Sequence, residues 1–350
     1  MSRHSAGALG NGRINSRRWW VPTTIVYASS AATLERTEKA EFAPSRTVTT
    51  PSHGSSGSAR TKARRAQRDD GAVWVTSAAL MIFAALLLGF VADVVFVSQV
   101  QEVRTQQVLL SDYRSDLANG VAPVGQTDSN GNLLAPGTPV AILAVPTLGV
   151  SEVVVEGTTA GQTMDGPGHR RDTPLPGQPG ISLIFGRQAA FGGPFGGLQS
   201  LRPGDPITVT TGQGEQTYAV MDVRRAGDPM PGALAQGESR LTLVTADGTP
   251  YVPYGVLRVD AKLISPVQPM PARLLSADSL APAEQAMAGD PGAWIGVVLW
   301  GQALLLAALA LTWCRVRWGA WQAWVIGVPV LGFLGLAVAG QIVQLLPNLM

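Results

Sequence analysis

The chain has 350 residues, with 26 Lys/Arg against 24 Asp/Glu and only 14% charged residues, well below the usual quarter. The deficit comes from three long apolar runs, which exclude a plain water-soluble globule, and a single cysteine excludes an internal disulfide.

Residues 1–70 carry twelve Lys/Arg against five Asp/Glu and are rich in Ser, Thr and Gly. They cannot bury enough apolar surface to offset chain entropy and are expected to be a disordered basic segment. Lys62, Arg64, Arg65 and Arg68 directly precede the first apolar run, Val73–Ala92, which continues past Asp93 to Val97. A bilayer crossing needs about 20 such residues, so 73–97 reads as a first membrane helix. The basic cluster places the N-terminus in the cytoplasm. The run is too long for a signal-peptide core and has no A-x-A cleavage site after it, so it reads as an uncleaved anchor. Over 98–119, Val100, Val103, Val108 and Leu109 fall at helical spacing, as in a helical stalk ending near Asn119–Gly120. Residues 120–138, with Gly, Pro, Asn and Ser, read as a linker.

From Pro139 the texture changes to short β-branched runs separated by turns: Val140–Val145, Val153–Val155, Ile181–Ile184, Ile207–Thr211, Tyr218–Val223, Leu241–Thr245 and Val256–Leu263. The Gly212-Gln-Gly214 stretch between two of them reads as a hairpin turn. Seven or eight such strands make residues 139–264 one closed β-barrel-like domain. Residues 265–292 are Pro- and Ala-rich and read as a second linker. Residues 293–313 and 320–346, the latter broken by Gly327 and Pro329, read as second and third membrane helices. Arg315 and Arg317 mark the cytoplasmic end of the second, and Pro347–Met350 then lies outside, on the side of the barrel. Gly292-x-x-x-Gly296 and Gly335-x-x-x-Ala339 permit close helix contact, and Gln302 and Gln341 are polar groups able to bond another helix.

Several motifs occur in order along the β-rich segment: Val140-Ala-Ile-Leu-Ala-Val-Pro-Thr-Leu-Gly149, Val153-Val-Val-Glu-Gly-Thr158, Gly166-Pro-Gly-His169, Pro176-Gly-Gln-Pro-Gly180, Phe191-Gly-Gly-Pro-Phe195, Leu201-Arg-Pro-Gly-Asp205 and Leu241-Thr-Leu-Val-Thr245. Together they resemble the class E-type sortases of actinobacteria. The resemblance implies a mainly β fold, a sortase-like closed barrel, here flanked by three transmembrane α-helices. It also implies a transpeptidase site in which a Cys attacks a sorting signal such as L-P-x-T-G, a His moves the proton and an Arg steadies the oxyanion.

At the positions matching those three groups this sequence has Arg187, Ala246 and Val256. Alanine has no lone pair to donate, and arginine stays protonated near neutral pH. Loss of the nucleophile from a comparable Ser triad costs on the order of 10⁶ in turnover. Thr245 neighbours the vacant position but points to the opposite face of its strand. Asp247 reads as a turn residue and His169 as a structural one. Cys314 lies at the far end of the second membrane helix. Arg258, two residues from Val256, shares its strand face, and with Arg187 could turn the site toward anion or peptide binding; two solvated surface arginines are the plainer reading. Arg187, Thr245, Ala246 and Arg258 are therefore binding candidates, with no catalytic residue assigned and no metal or cofactor expected.

Three readings follow. The first is a multi-pass membrane protein whose extracytoplasmic sortase-like domain is catalytically inactive and binds a cell-envelope protein or sorting-signal-like peptide. The second is an active transpeptidase or hydrolase with atypical residues. The third is a structural subunit that assembles a membrane complex or oligomer through its second and third helices. None involves nucleic acid.

Overall fold

The computed structural model describes Ala84 and residues 87–350. Eight strands close into a barrel: β1 (Pro139–Val145), β2 (Val150–Glu156), β3 (Gly168–His169), β4 (Gly180–Phe185), β5 (Pro206–Thr211), β6 (Gly214–Arg224), β7 (Ser239–Thr249) and β8 (Val252–Leu263). Their order around the barrel is β1-β2-β3-β4-β7-β8-β6-β5. Neighbours run antiparallel except β2 with β3 and β4 with β7.

Seven strands carry the β-branched runs. The eighth, β3, is two residues long, too short for alternation to mark it. Its Gly168 sits against the Gly157 carbonyl, where a Cβ would collide, so only glycine lets the backbones approach. The expected hairpin joins β5 to β6, with Thr211 opposite Gly214.

Side-chain alternation sorts each strand into two faces. Leu241 and Leu243 on β7 and Leu257, Val259 and Ala261 on β8 point into the barrel, with Val140, Leu143, Ile184, Ile207, Val209 and Tyr218 from the other strands. Full burial of each such aliphatic contributes about 1.5–3 kcal/mol. Outside, Asp260 is buried between Arg224, whose Nε donates to it, and Thr242, whose hydroxyl donates at 2.7 Å. Farther along the same outer face lie Val244 and Ala246 of β7, opposite Arg258 and Val256 of β8.

The two segments expected to be linkers are packed against the barrel. Leu134 enters the core. The Gln126 side chain accepts from the Leu274 and Leu275 amides and donates to the Arg171 carbonyl, tying the two segments together. Pro and Ala fix this path with extended backbone and two short 3₁₀ turns, Ala277–Ser279 and Pro282–Glu284.

Most of the first expected membrane helix, 73–97, lies outside the described residues. Its end is helical, with a π turn at Asp93–Val97, and runs into α1 (Ser98–Asn119). Helix α1 does not dock through its apolar positions: Val100, Val103 and Val108 are exposed. It docks through polar groups because it meets a strand edge with unpaired backbone. Gln106 accepts from the Val153 amide at 2.7 Å and donates to the Val153 carbonyl at 3.1 Å, capping the edge of β2 before β3 begins. The Tyr113 hydroxyl donates to the Val140 carbonyl at 2.8 Å.

Among the described residues two helices are apolar and long enough to cross a membrane, α2 (Ala293–Trp318) and α3 (Ala320–Gln344). Gly296 of the first small-residue motif lies under the Gln341 side chain, so this pair does bring the helices close; Gly335 faces open space. Gly327 packs on Leu311.

Beside Gln106, the carboxyl groups of Glu102 and Glu152 face one another at the α1–barrel contact. Burial and the neighbouring Glu102 charge push Glu152 up from 4.5 to about 8. The folded state therefore holds a proton that the unfolded chain has released between pH 4.5 and about 8, and stability falls with rising pH across that window. Glu152→Gln is expected to flatten this dependence, read as thermal unfolding of the full-length protein against pH.

Candidate functional site

Three segments converge where the resemblance places the reactive groups. Phe185 ends β4 opposite Val244 of β7, and the Gly186 amide continues the ladder to the Val244 carbonyl at 2.9 Å. Arg187 follows at once. Ala246 is directly opposite Val256 across the β7–β8 pair, a separation of about 4.5–5.5 Å between Cα atoms. The residues nominated from sequence as Arg187, Ala246 and Val256 are thus brought to one end of one sheet face.

Arg187 is not a solvated surface residue. Its side chain is 0% exposed. Nε donates to the Thr163 carbonyl at 3.2 Å, Nη2 to the Ala160 carbonyl at 2.9 Å and Nη1 to the Met350 carbonyl at 3.4 Å. The guanidinium also lies 5.1 Å from the centre of the Phe191 ring. Among the described residues no Asp or Glu pairs with it, and burial lowers its pKa to about 10, so it stays charged at neutral pH. Three of its five N–H donors are engaged by main-chain oxygens, so the side chain is a buried, bonded group rather than a solvated surface arginine.

Thr245 turns away from this face. It stands opposite Leu257, inside the barrel, with a buried hydroxyl that has no partner. It is removed as a cleft residue. Arg258 does share the Val256 face, opposite Val244, and is half-buried. Ala246 is 1% exposed and packs with Phe185, Val244 and Leu349, while Val256, Ala286 and Met287 lie against the same cluster. Leu349, Ala286 and Met287 are the site residues that the sequence reading missed. They lie more than 40 positions beyond the last of the sortase-like motifs, which ends at Thr245, and nothing in their spacing marks them.

His169 has both ring nitrogens engaged, Nδ1 with Glu156 at 2.8 Å and Nε2 with the Pro174 carbonyl at 3.1 Å. Burial is the largest single influence and would lower its pKa, but the charge and hydrogen bond of Glu156, the Pro174 carbonyl and the Asp172 charge together make the net shift upward. Cys314 sits 21 positions into α2 from Ala293, about 30 Å along the helix axis.

Residues 143–259 match the family model of the sortase domain. This segment belongs to the sortase family. Solved structures similar to it include a sortase D5 transpeptidase from Clostridium perfringens, 21% identical over 46% of this chain and 99% of that one, with a TM-score of 0.39. Sortase E1 from Streptomyces coelicolor, solved with a tripeptide in its active site, is 26% identical over 37% of this chain and 91% of its own, with a TM-score of 0.34. A variant of sortase E from Streptomyces avermitilis is 27% identical over 43% and 100%, with a TM-score of 0.33. No curated protein matches the chain.

Replacing Arg187 with Met leaves three carbonyls without their donor and is expected to cost about 3 kcal/mol or more. Arg187→Lys is expected to restore little of this, since a point-charge ammonium cannot span three acceptors in a plane. Denaturant unfolding of the full-length protein in detergent measures both.

Proposed function

We propose that this protein is a catalytically silent sortase-fold module, held at the membrane by its apolar helices, that binds a peptide or cell-envelope protein without cutting it. The observation that carries this reading is the identity of Ala246: the position that the resemblance assigns to the nucleophile bears a methyl group, and the chain's only cysteine is Cys314 in α2. Arg187 supports it, because a group that remains protonated cannot take a proton from a nucleophile at neutral pH. The barrel face around Ala246 and Val256 retains an apolar, backbone-lined surface suited to an extended peptide. The two candidate spans and the basic pair Arg315 and Arg317 between them support an extracytoplasmic barrel.

The full-length protein in lipid nanodiscs, offered L-P-x-T-G-type peptides with an amine acceptor, is expected to give no cleavage product and no thiol-linked acyl intermediate. The combination Arg187→His, Ala246→Cys and Val256→Arg is expected to gain measurable cleavage, with thermal unfolding followed in parallel because Arg187→His removes carbonyl bonds. Turnover by the unaltered chain, insensitive to thiol reagents, would replace this reading with that of an atypical transpeptidase. The reading as a structural subunit is compatible with binding. It draws on the bond that ties the segment before α2 to the end of α3, the Asp290 amide donating to the Gln344 carbonyl at 2.8 Å.

A further inference from the structure

The cleft at Ala246 is occupied by the chain itself. Beyond α3 the backbone turns and runs through Leu346-Pro-Asn-Leu-Met350 over the β4–β7–β8 face. Leu349 is 0% exposed, its side chain set among Phe185, Val244 and Ala246. Its carbonyl accepts from the Gln188 amide at 2.9 Å, and the next carbonyl, of Met350, accepts from Arg187. Asn348 is also 0% exposed. Its carboxamide nitrogen donates to the Thr158 carbonyl at 2.6 Å and the Gln285 carbonyl at 2.9 Å, and its amide to the Ala288 carbonyl at 2.9 Å. Its side-chain oxygen is buried without a partner.

These contacts engage the Asn348 and Leu349 side chains individually. Two carbonyls converge on one carboxamide nitrogen, which an aspartate could not satisfy, since its carboxylate has no donor to offer them. The leucine pocket has Ala246 in its wall. A larger residue there would take space that Leu349 fills. Main-chain bonds on either side, from Gln188 and to Ala288, fix the direction of the segment.

We propose that the vacated cleft is a binding site for an Asn-Leu peptide held in a tight turn, as Pro347–Met350 is by the Met350 amide donating to the Pro347 carbonyl at 3.2 Å, and that this segment fills it in cis, so that a partner peptide must displace it to enter. The proposal rests on the peptide-binding reading above and names its ligand class. Three residues separate Gln344 from Asn348, and such a short tether gives the segment a high effective concentration. A competing peptide free in solution is at a disadvantage even with the same sequence.

Thiol accessibility in the full-length protein tests this. In a Cys314→Ser background, Ala246→Cys supplies one thiol at the cleft wall. With the segment seated, a charged maleimide is expected to label it slowly. Adding Asn348→Asp is expected to raise the labelling rate at least tenfold, and the free peptide Leu-Pro-Asn-Leu-Met to lower it again saturably. Deletion of residues 347–350 is the second variant, with thermal unfolding measured for each. Rapid labelling with the native segment in place, equal slow labelling in all three chains, or no protection by the peptide in either altered chain would overturn the proposal. Labelling reads occupancy and cleavage reads chemistry, so the segment can prove absent from the cleft while the chain remains catalytically silent, and the reverse outcome is equally visible.

Discussion

A guanidinium can leave water only where acceptors replace the ones it gives up. Arg187 does so with no Asp or Glu among the described residues paired to it, using main-chain oxygens of Ala160, Thr163 and Met350. Those acceptors come from the loop after β2, the single helical turn Gln162–Asp165 and the segment beyond α3. One side chain therefore joins three pieces of chain that share no strand pairing. The cleft floor, the wall formed by the 158–165 loop and the covering segment all depend on that charge being where it is. A neutral side chain of the same length would leave the carbonyls buried and unpaired.

Around this point the backbone is held in costly conformations. Phe191, whose ring lies against Arg187, has φ of 50°, and Met287, which packs over the Ala246 cluster, has φ of 62°. Both are left-handed values that bulky L-residues rarely adopt. The Phe191 amide donates to the Ser98 hydroxyl at the start of α1, and the Glu102 carboxyl lies over Gly192, where any side chain would meet it. Phe191, Ala190, Val94 and Val343 form one apolar cluster. The helix entering the barrel, the loop after β4 and the end of α3 thus meet at one place, and the strained loop is fixed by contacts from both helices. Movement at either helix end would be felt at Arg187.

The barrel was legible because strands leave a mark at short range. Alternation such as Leu241-Thr-Leu-Val-Thr245 needs only five residues, and the turn glycines punctuate it. What could not be read was decided at long range. β3 has no periodicity because two residues cannot show one; its place depends on Gly168 fitting beneath Gly157. The Pro- and Ala-rich segments looked like spacers because their apolar content is low. Their attachment comes from backbone groups and from single amides such as Gln126, which carry no pattern. The burial of Arg187 was invisible for the same reason. Its partners are carbonyls, identical in every residue, and one of them is 163 positions away. Leu349 reads only as part of a short tail outside the third membrane run until the fold sets it against Ala246.

The occupied cleft and the proposed catalytic silence are linked by solvation. A thiolate is the working form of a cysteine nucleophile, and apolar surroundings raise thiol pKa and suppress that form. The position of Ala246 is such a surrounding: 1% exposed, walled by Phe185 and Val244 and covered by Leu349. A cysteine placed there beneath the seated segment would have water removed, and after Gly186 it would find the bonded guanidinium of Arg187 in place of an imidazole able to take up and release a proton. A methyl group loses nothing on the same burial and gains contact with Leu349. Tight closure by an apolar residue and ready ionisation of a nucleophile thus make opposite demands on one position. The side chains at 187 and 246 both meet the first demand, so on the proposed reading the silent site and its internal occupant are one physical arrangement.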